Sequence, residues 1–165
     1  MEVFDKAMGV IRSPYYRKLD PSIPWDKFEY AMHADRMTLL AYLRDFKDPE
    51  IAEKVLESAE YIHREQAKNQ TDDERLQNWR LGYFYAMARY HAGRCPVREV
   101  VDVLLEAIEK ADPKDYSPTG INNNLTSLSS LFYYEAALPP EEKPQYACRL
   151  EKMFSKSAVS YTHLR

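Results

Sequence analysis

Glycine is scarce in this chain, with four in 165 residues. Positions 9, 82, 93 and 120 lie too far apart to form a loop that cradles phosphate. Cysteine is scarcer still: Cys95 and Cys148 form no CxxC pair and no disulfide framework, and two reduced thiols fit a cytosolic protein. No apolar run approaches the roughly 18 residues that a membrane span requires. The opening MEVFDKAMGVIRS places Glu2, Asp5 and Lys6 where a secretory leader would be apolar. Basic excess is missing as well. A net charge of −3, with Lys and Arg scattered, excludes a general nucleic-acid surface.

Catalytic and metal signatures are equally absent. His33, His63 and His91 fall on three separate predicted helices, with no HExxH and no histidine pair at i,i+4, and are expected at the surface or its boundary. No Ser or Cys carries a nucleophile motif of the GxSxG kind. Glu50, Glu53, Glu57 and Glu60 are spaced for one solvated helix face. These observations predict a non-enzyme without metal or cofactor.

What is abundant is helical punctuation. The pattern predicts a short helix over 3–12, an irregular link from Ser13-Pro14 to Ile23-Pro24, and a long second helix from Trp25 to Phe46. The apolar stripe of that second helix is Trp25, Phe28, Met32, Leu39, Leu43 and Phe46, with a polar gap at Asp35-Arg36. Asp48 reads as an N-cap followed by Pro49 in the first turn of a helix that buries Ile51, Val55, Ala59 and Ile62. Thr71 and Glu74 form a capping box for a fourth helix, apolar on two sides and therefore central, which ends at Gly93. A fifth runs from Pro96 to Ala111 with Val97, Val100, Val101, Leu104 and Ile108 inward, and a sixth from Ile121 to Leu138. The seventh begins near Pro140. The expected fold is all-α: about seven helices stacked as antiparallel hairpins in one domain over 1–158.

Two polar stripes are the candidate binding residues. Asn78, Gly82, Tyr85 and Arg89 share one face of the fourth helix, and Asn123, Ser127, Ser130 and Tyr134 share one face of the sixth. If these are the inner helices of successive hairpins, the stripes line a concave groove in which amides and a guanidinium hold a peptide or a carboxylate. Asn78, Tyr85, Arg89, Asn123 and Ser127 are the predicted partner contacts.

The seven residues Val159 to Arg165 stand apart. Back-translated as GTC TCT TAT ACA CAT CTC CGA, they resemble the transposase mosaic end used in preparing sequencing libraries, running into its adaptor. The expectation is that 159–165 are not native sequence and that the natural chain continues beyond about Ala158.

Trp79, Leu81, Gly82 and Tyr85, with Ala107, Ala111 and Pro113, loosely resemble a tetratricopeptide unit, although Trp79 lies one residue too close to Leu81 and the hairpin exceeds the usual length of roughly 34 residues. From His91 onward the chain resembles the N-terminal helical regions of some bacterial multidomain signalling proteins. The resemblance rests on His91-Ala92-Gly93, on 112–120, on Asn124-Leu125 and on 138–142, covers about half the chain, and consists of turn and cap residues. It implies a cytoplasmic sensor or interaction segment placed ahead of an HD-type phosphohydrolase or GGDEF diguanylate cyclase domain. No catalytic residue is carried over. A stand-alone adaptor for a peptide or protein is the alternative. Tyr146, Leu150, Met153 and Phe154 at coiled-coil-like steps suggest a connector or homodimer contact through the last helix.

Overall fold

In the computed structural model, residues 2–69, 79–110 and 129–162 are described. Every regular element among them is helical, and none is long and apolar enough to cross a membrane. The elements are α1 (Glu2–Ile11), α2 (Pro14–Leu19), α3 (Trp25–Met37), α4 (Leu40–Phe46), α5 (Pro49–Asn69), α6 (Trp79–His91), α7 (Val97–Lys110) and α8 (Lys143–Thr162). Residues 129–136 are also helical. The chain divides into two compact units, Met1–Arg94 and Cys95–Arg165.

Two boundaries differ from the sequence expectation. The Ser13-Pro14 link contains α2, because proline in a first turn sacrifices only an N–H that would be unpaired anyway. Arg17 ties this short helix down, its Nε donating to the Ile11 carbonyl at 2.9 Å and its Nη1 to Asp26 at 2.9 Å. The expected long second helix is two. Leu39 N–H bonds back to Arg36 at 3.2 Å, and the Thr38 hydroxyl donates to the Asp35 carbonyl at 2.7 Å, so the chain tightens and turns there. Lys47, in left-handed geometry at φ 50, closes α4.

Of the caps read from sequence, those at Asp48 and Gly93 are present, and the capping box of Thr71 and Glu74 lies outside the described residues. Asp48 Oδ1 accepts from the N–H groups of Glu50 at 3.0 Å and Ile51 at 3.2 Å, satisfying two donors of the first turn of α5. Replacing Asp48 with alanine is expected to lower stability by about 1 kcal/mol in urea unfolding; an unchanged midpoint would show the cap to be idle. At the end of α6, Gly93 takes φ 69. Arg94 N–H then reaches the Arg89 carbonyl at 2.7 Å and Gly93 N–H reaches Tyr90 at 2.9 Å, the paired bonds of a Schellman turn.

Within the first unit, α3 runs antiparallel to both α1 and α5. Phe4 lies against Arg36 while Arg12 bonds Glu29. Arg36 meets Glu57 and Ser58, whereas Tyr30 meets Gln66. Helix α6 is antiparallel to α5, with Tyr85 stacked on His63 at one end and Arg94 bonded to Glu53 at the other. Leu40, Leu43, Ala52, Val55, Leu56, Ala59, Ile62, Tyr83 and Met87 form the apolar core of this unit. Helix α3 contributes only Met37 to its buried apolar side chains. Its other buried residues are Glu29, His33 and Arg36, while Phe28 points outward.

The second unit buries Val100, Val101, Leu104, Leu105, Leu131, Tyr134 and Leu138. Tyr146 of α8 is buried and its hydroxyl donates to Asp102 of α7 at 3.1 Å. Burial, then the Asp102 charge, pushes that phenol up to about 12. Arg149 joins α8 to α7 through Asp102 and Glu109. Tyr146 is thus committed within its unit, and the side chains of Met153 and Phe154 lie outside the described residues.

Candidate functional site

The polar buried face of α3 is the floor of a cleft. Its walls are α1, through Phe4, Asp5, Met8, Gly9 and Arg12, and α5, through Glu57, Glu60, Tyr61 and Arg64; the enclosed volume is about 590 Å³. Each wall comes from three- and four-residue steps along one helix face. A floor that meets a cleft rather than the core accounts for charged residues where an apolar stripe would otherwise sit.

Arg36 is the centre of this floor. Its Nε donates to Ser58 Oγ at 2.6 Å, its Nη2 to Glu57 Oε2 at 3.1 Å, and its guanidinium lies 3.9 Å from the centre of the Phe4 ring. Burial lowers its pKa, opposed by the Glu57 charge. His33 stacks on Tyr61 at 4.1 Å, meets the edge of Phe4 at 5.5 Å, and places Nδ1 2.8 Å from Ser58 Oγ.

Ser58 Oγ accepts from Arg36 and shares a second hydrogen bond with His33 Nδ1, whose direction follows the imidazole tautomer. In either tautomer Nε2 is buried and has no partner. Burial, then the Arg36 and Arg12 charges, lowers His33 to about 4, against the pull of Glu29 and Glu57. The expectation that His33 lies near the surface is corrected: it is 5% exposed.

A Ser–His contact invites comparison with a nucleophile and its base. Ser58 is fully buried and does not line the cleft. Its oxygen is already engaged by a guanidinium, and an imidazole with a pKa near 4 is a weak base at neutral pH. The pair holds the floor together.

A second, smaller cleft of about 350 Å³ lies on the other side of α5, lined by Glu53, Leu56, Glu57, Glu60, Arg89 and Arg94. Glu57 and Glu60 line both clefts. The acidic row read as a solvated face is exposed, but it also forms the ridge between two hollows.

Compared with known proteins, the chain matches no family model, no curated protein and no solved structure.

Of the residues expected to contact a partner, Tyr85 and Arg89 lie on α6 in the first unit, and Asn78, Asn123 and Ser127 lie outside the described residues. Arg89 lines the smaller cleft, with its guanidinium 5.7 Å from the centre of the Tyr85 ring. Ser130 and Tyr134, placed in sequence on the same exposed stripe as Asn123, are 3% and 0% exposed. They belong to the core of the second unit because the tyrosine ring packs inward rather than along a groove. Helical spacing did carry a trace of the larger cleft: Glu29, His33 and Arg36 recur at four and three residues, the period of a buried face. Among the described residues, no three His, Cys, Asp or Glu side chains gather to hold a metal.

Proposed function

We propose that this chain is a non-catalytic helical interaction module, a tetratricopeptide-like stack of hairpins that takes a peptide partner along α5 and serves as the sensor segment of a larger cytosolic signalling protein. The observation that carries the reading is the pair of clefts flanking α5, which share Glu57 and Glu60 and so form one grooved face. The antiparallel packing of α6 on α5 supports the hairpin arrangement. A buried, weakly basic His33 and a sealed Ser58 favour binding over catalysis. The signalling context rests on the resemblance from His91 onward.

Peptides selected from a displayed library against the full chain test this reading. Binders that use the groove are expected to lose at least about tenfold in affinity when Arg89 is replaced by alanine, a change of roughly 1.4 kcal/mol, with the unfolding midpoint little moved. A library that yields only peptides indifferent to Arg89→Ala and to changes in the larger cleft sinks the proposal.

A further inference from the structure

We propose that the larger cleft is a site for a short peptide with both ends free, its ammonium group at Asp5 and its carboxylate between Arg12 and Arg64. This inference rests on the grooved-face reading and names the ligand class for one of the two clefts.

Charge is the first ground. The lining carries three guanidinium groups and three carboxylates, so a ligand of either net charge meets as many like charges as opposite ones. Arg36 is buried in its pair with Glu57, whereas Arg12 bonds Glu29 through a side chain that stays 56% exposed. Among the described residues Asp5, Glu60 and Arg64 form no ion pair, and the register of the helices puts Asp5 and Arg64 at opposite ends of the cleft, with Glu60 one turn before Arg64 on α5. Arg12, beside the Arg64 end, lies seven residues along α1 from Asp5, a separation of about 10 Å. An extended chain of about three residues spans that distance between its amino and carboxyl groups.

The floor supplies the second ground. Nε2 of His33, in a side chain 95% buried, lacks a hydrogen-bond partner, and Nη1 of Arg36 makes no hydrogen bond. Unmet polar groups in a cleft call for partners, and a peptide backbone brings one carbonyl oxygen and one N–H per residue. Met8, Phe4 and Tyr61 give the middle of the cleft an apolar character suited to a central side chain.

Gly9 is the third. It sits on the α1 wall between Asp5 and Arg12, and a Cβ built there would meet nothing within 4 Å. Glycine inside a helix is unfavourable relative to almost any residue but proline. Here its missing side chain keeps the cleft open.

Calorimetric titration of the full chain with Ala-Phe-Ala tests the proposal, set against its N-acetylated form, its C-terminal amide and phenylalanine alone. The free peptide is expected to bind saturably, and each of the other three at least about tenfold more weakly. Gly9→Leu is expected to abolish binding while the melting temperature holds or rises by a few degrees. Asp5→Asn, an exposed change, is expected to erase the effect of acetylation and keep that of amidation. Absence of saturable binding, indifference to the caps, or full binding by Gly9→Leu overturns the proposal. If the caps have no effect but library peptides still lose affinity in Gly9→Leu, the free-ended class falls and the grooved-face reading stands. If library peptides also ignore Gly9→Leu and Arg89→Ala, both fall.

Discussion

Replacing Arg36 with alanine is expected to destabilise the first unit by about 3 kcal/mol, among the larger effects a single substitution produces. The change removes a charged donor to buried Ser58, the bond to Glu57 and the stacking on Phe4 at once. It also opens a void beneath a cleft already about 590 Å³ in volume. Arg36→Lys is expected to recover less than half, because a single ammonium cannot reproduce the fork that reaches Ser58 and Glu57 from different nitrogens. Both tryptophans, Trp25 and Trp79, lie in the first unit, so their fluorescence in urea follows its unfolding. A loss below about 1 kcal/mol would mean that Arg36 is no more than a surface ion pair.

The second large effect is acid sensitivity. His33 is held near 4 in the folded chain, against about 6.5 when unfolded. Between those values the unfolded chain binds the proton and the folded chain does not, so stability falls as pH drops from 6.5 toward 4 and is fully present above that window. The difference corresponds to roughly 3 kcal/mol for this residue. His91, lowered to about 4 by burial and then by Arg44 and Lys47, acts in the same direction. The groups facing His33 are Arg36, Arg12, Glu29 and Glu57, with Tyr61 stacked on its ring. Urea midpoints at pH 7.5, 6 and 5 should decline steadily, and His33→Gln should flatten the decline without abolishing it. A protein equally stable at pH 7.5 and 5 would show that His33 titrates freely.

How far these features could be read in the sequence depends on which physical signal each one leaves. Helices α5 and α7 were legible because Val55, Ala59 and Ile62, and Val100, Val101 and Leu104, carry apolar side chains at helical spacing and are buried accordingly. Asp48 and Gly93 were legible because capping chemistry is local. The break at Thr38 was not, since the apolar stripe resumes in helical phase from Met32 to Leu39, Leu43 and Phe46 beyond it, and only the bonds to Asp35 and Arg36 reveal the turn. Phe28 and Phe46, counted toward the stripe, are 52% and 67% exposed, while Glu29, His33 and Arg36 face inward. Hydrophobicity ranks these residues the wrong way round. Their burial depends on Arg12 and Arg17 at Glu29, and on Phe4, Glu57 and Ser58 at His33 and Arg36, which satisfy their charge and hydrogen bonds.

That dependence also constrains how the sequence can change over time. Phe4, His33, Arg36, Glu57 and Ser58 form one interlocked set drawn from three helices. A substitution at Arg36 alone strands Ser58 and uncovers Phe4, and a substitution at Ser58 alone strands both Arg36 and His33. Descendants of this chain therefore keep the five together or exchange several in concert, for an apolar floor with a different cleft above it. In aligned relatives the set should drift as a block, while exposed Glu50, which lines neither cleft, wanders freely.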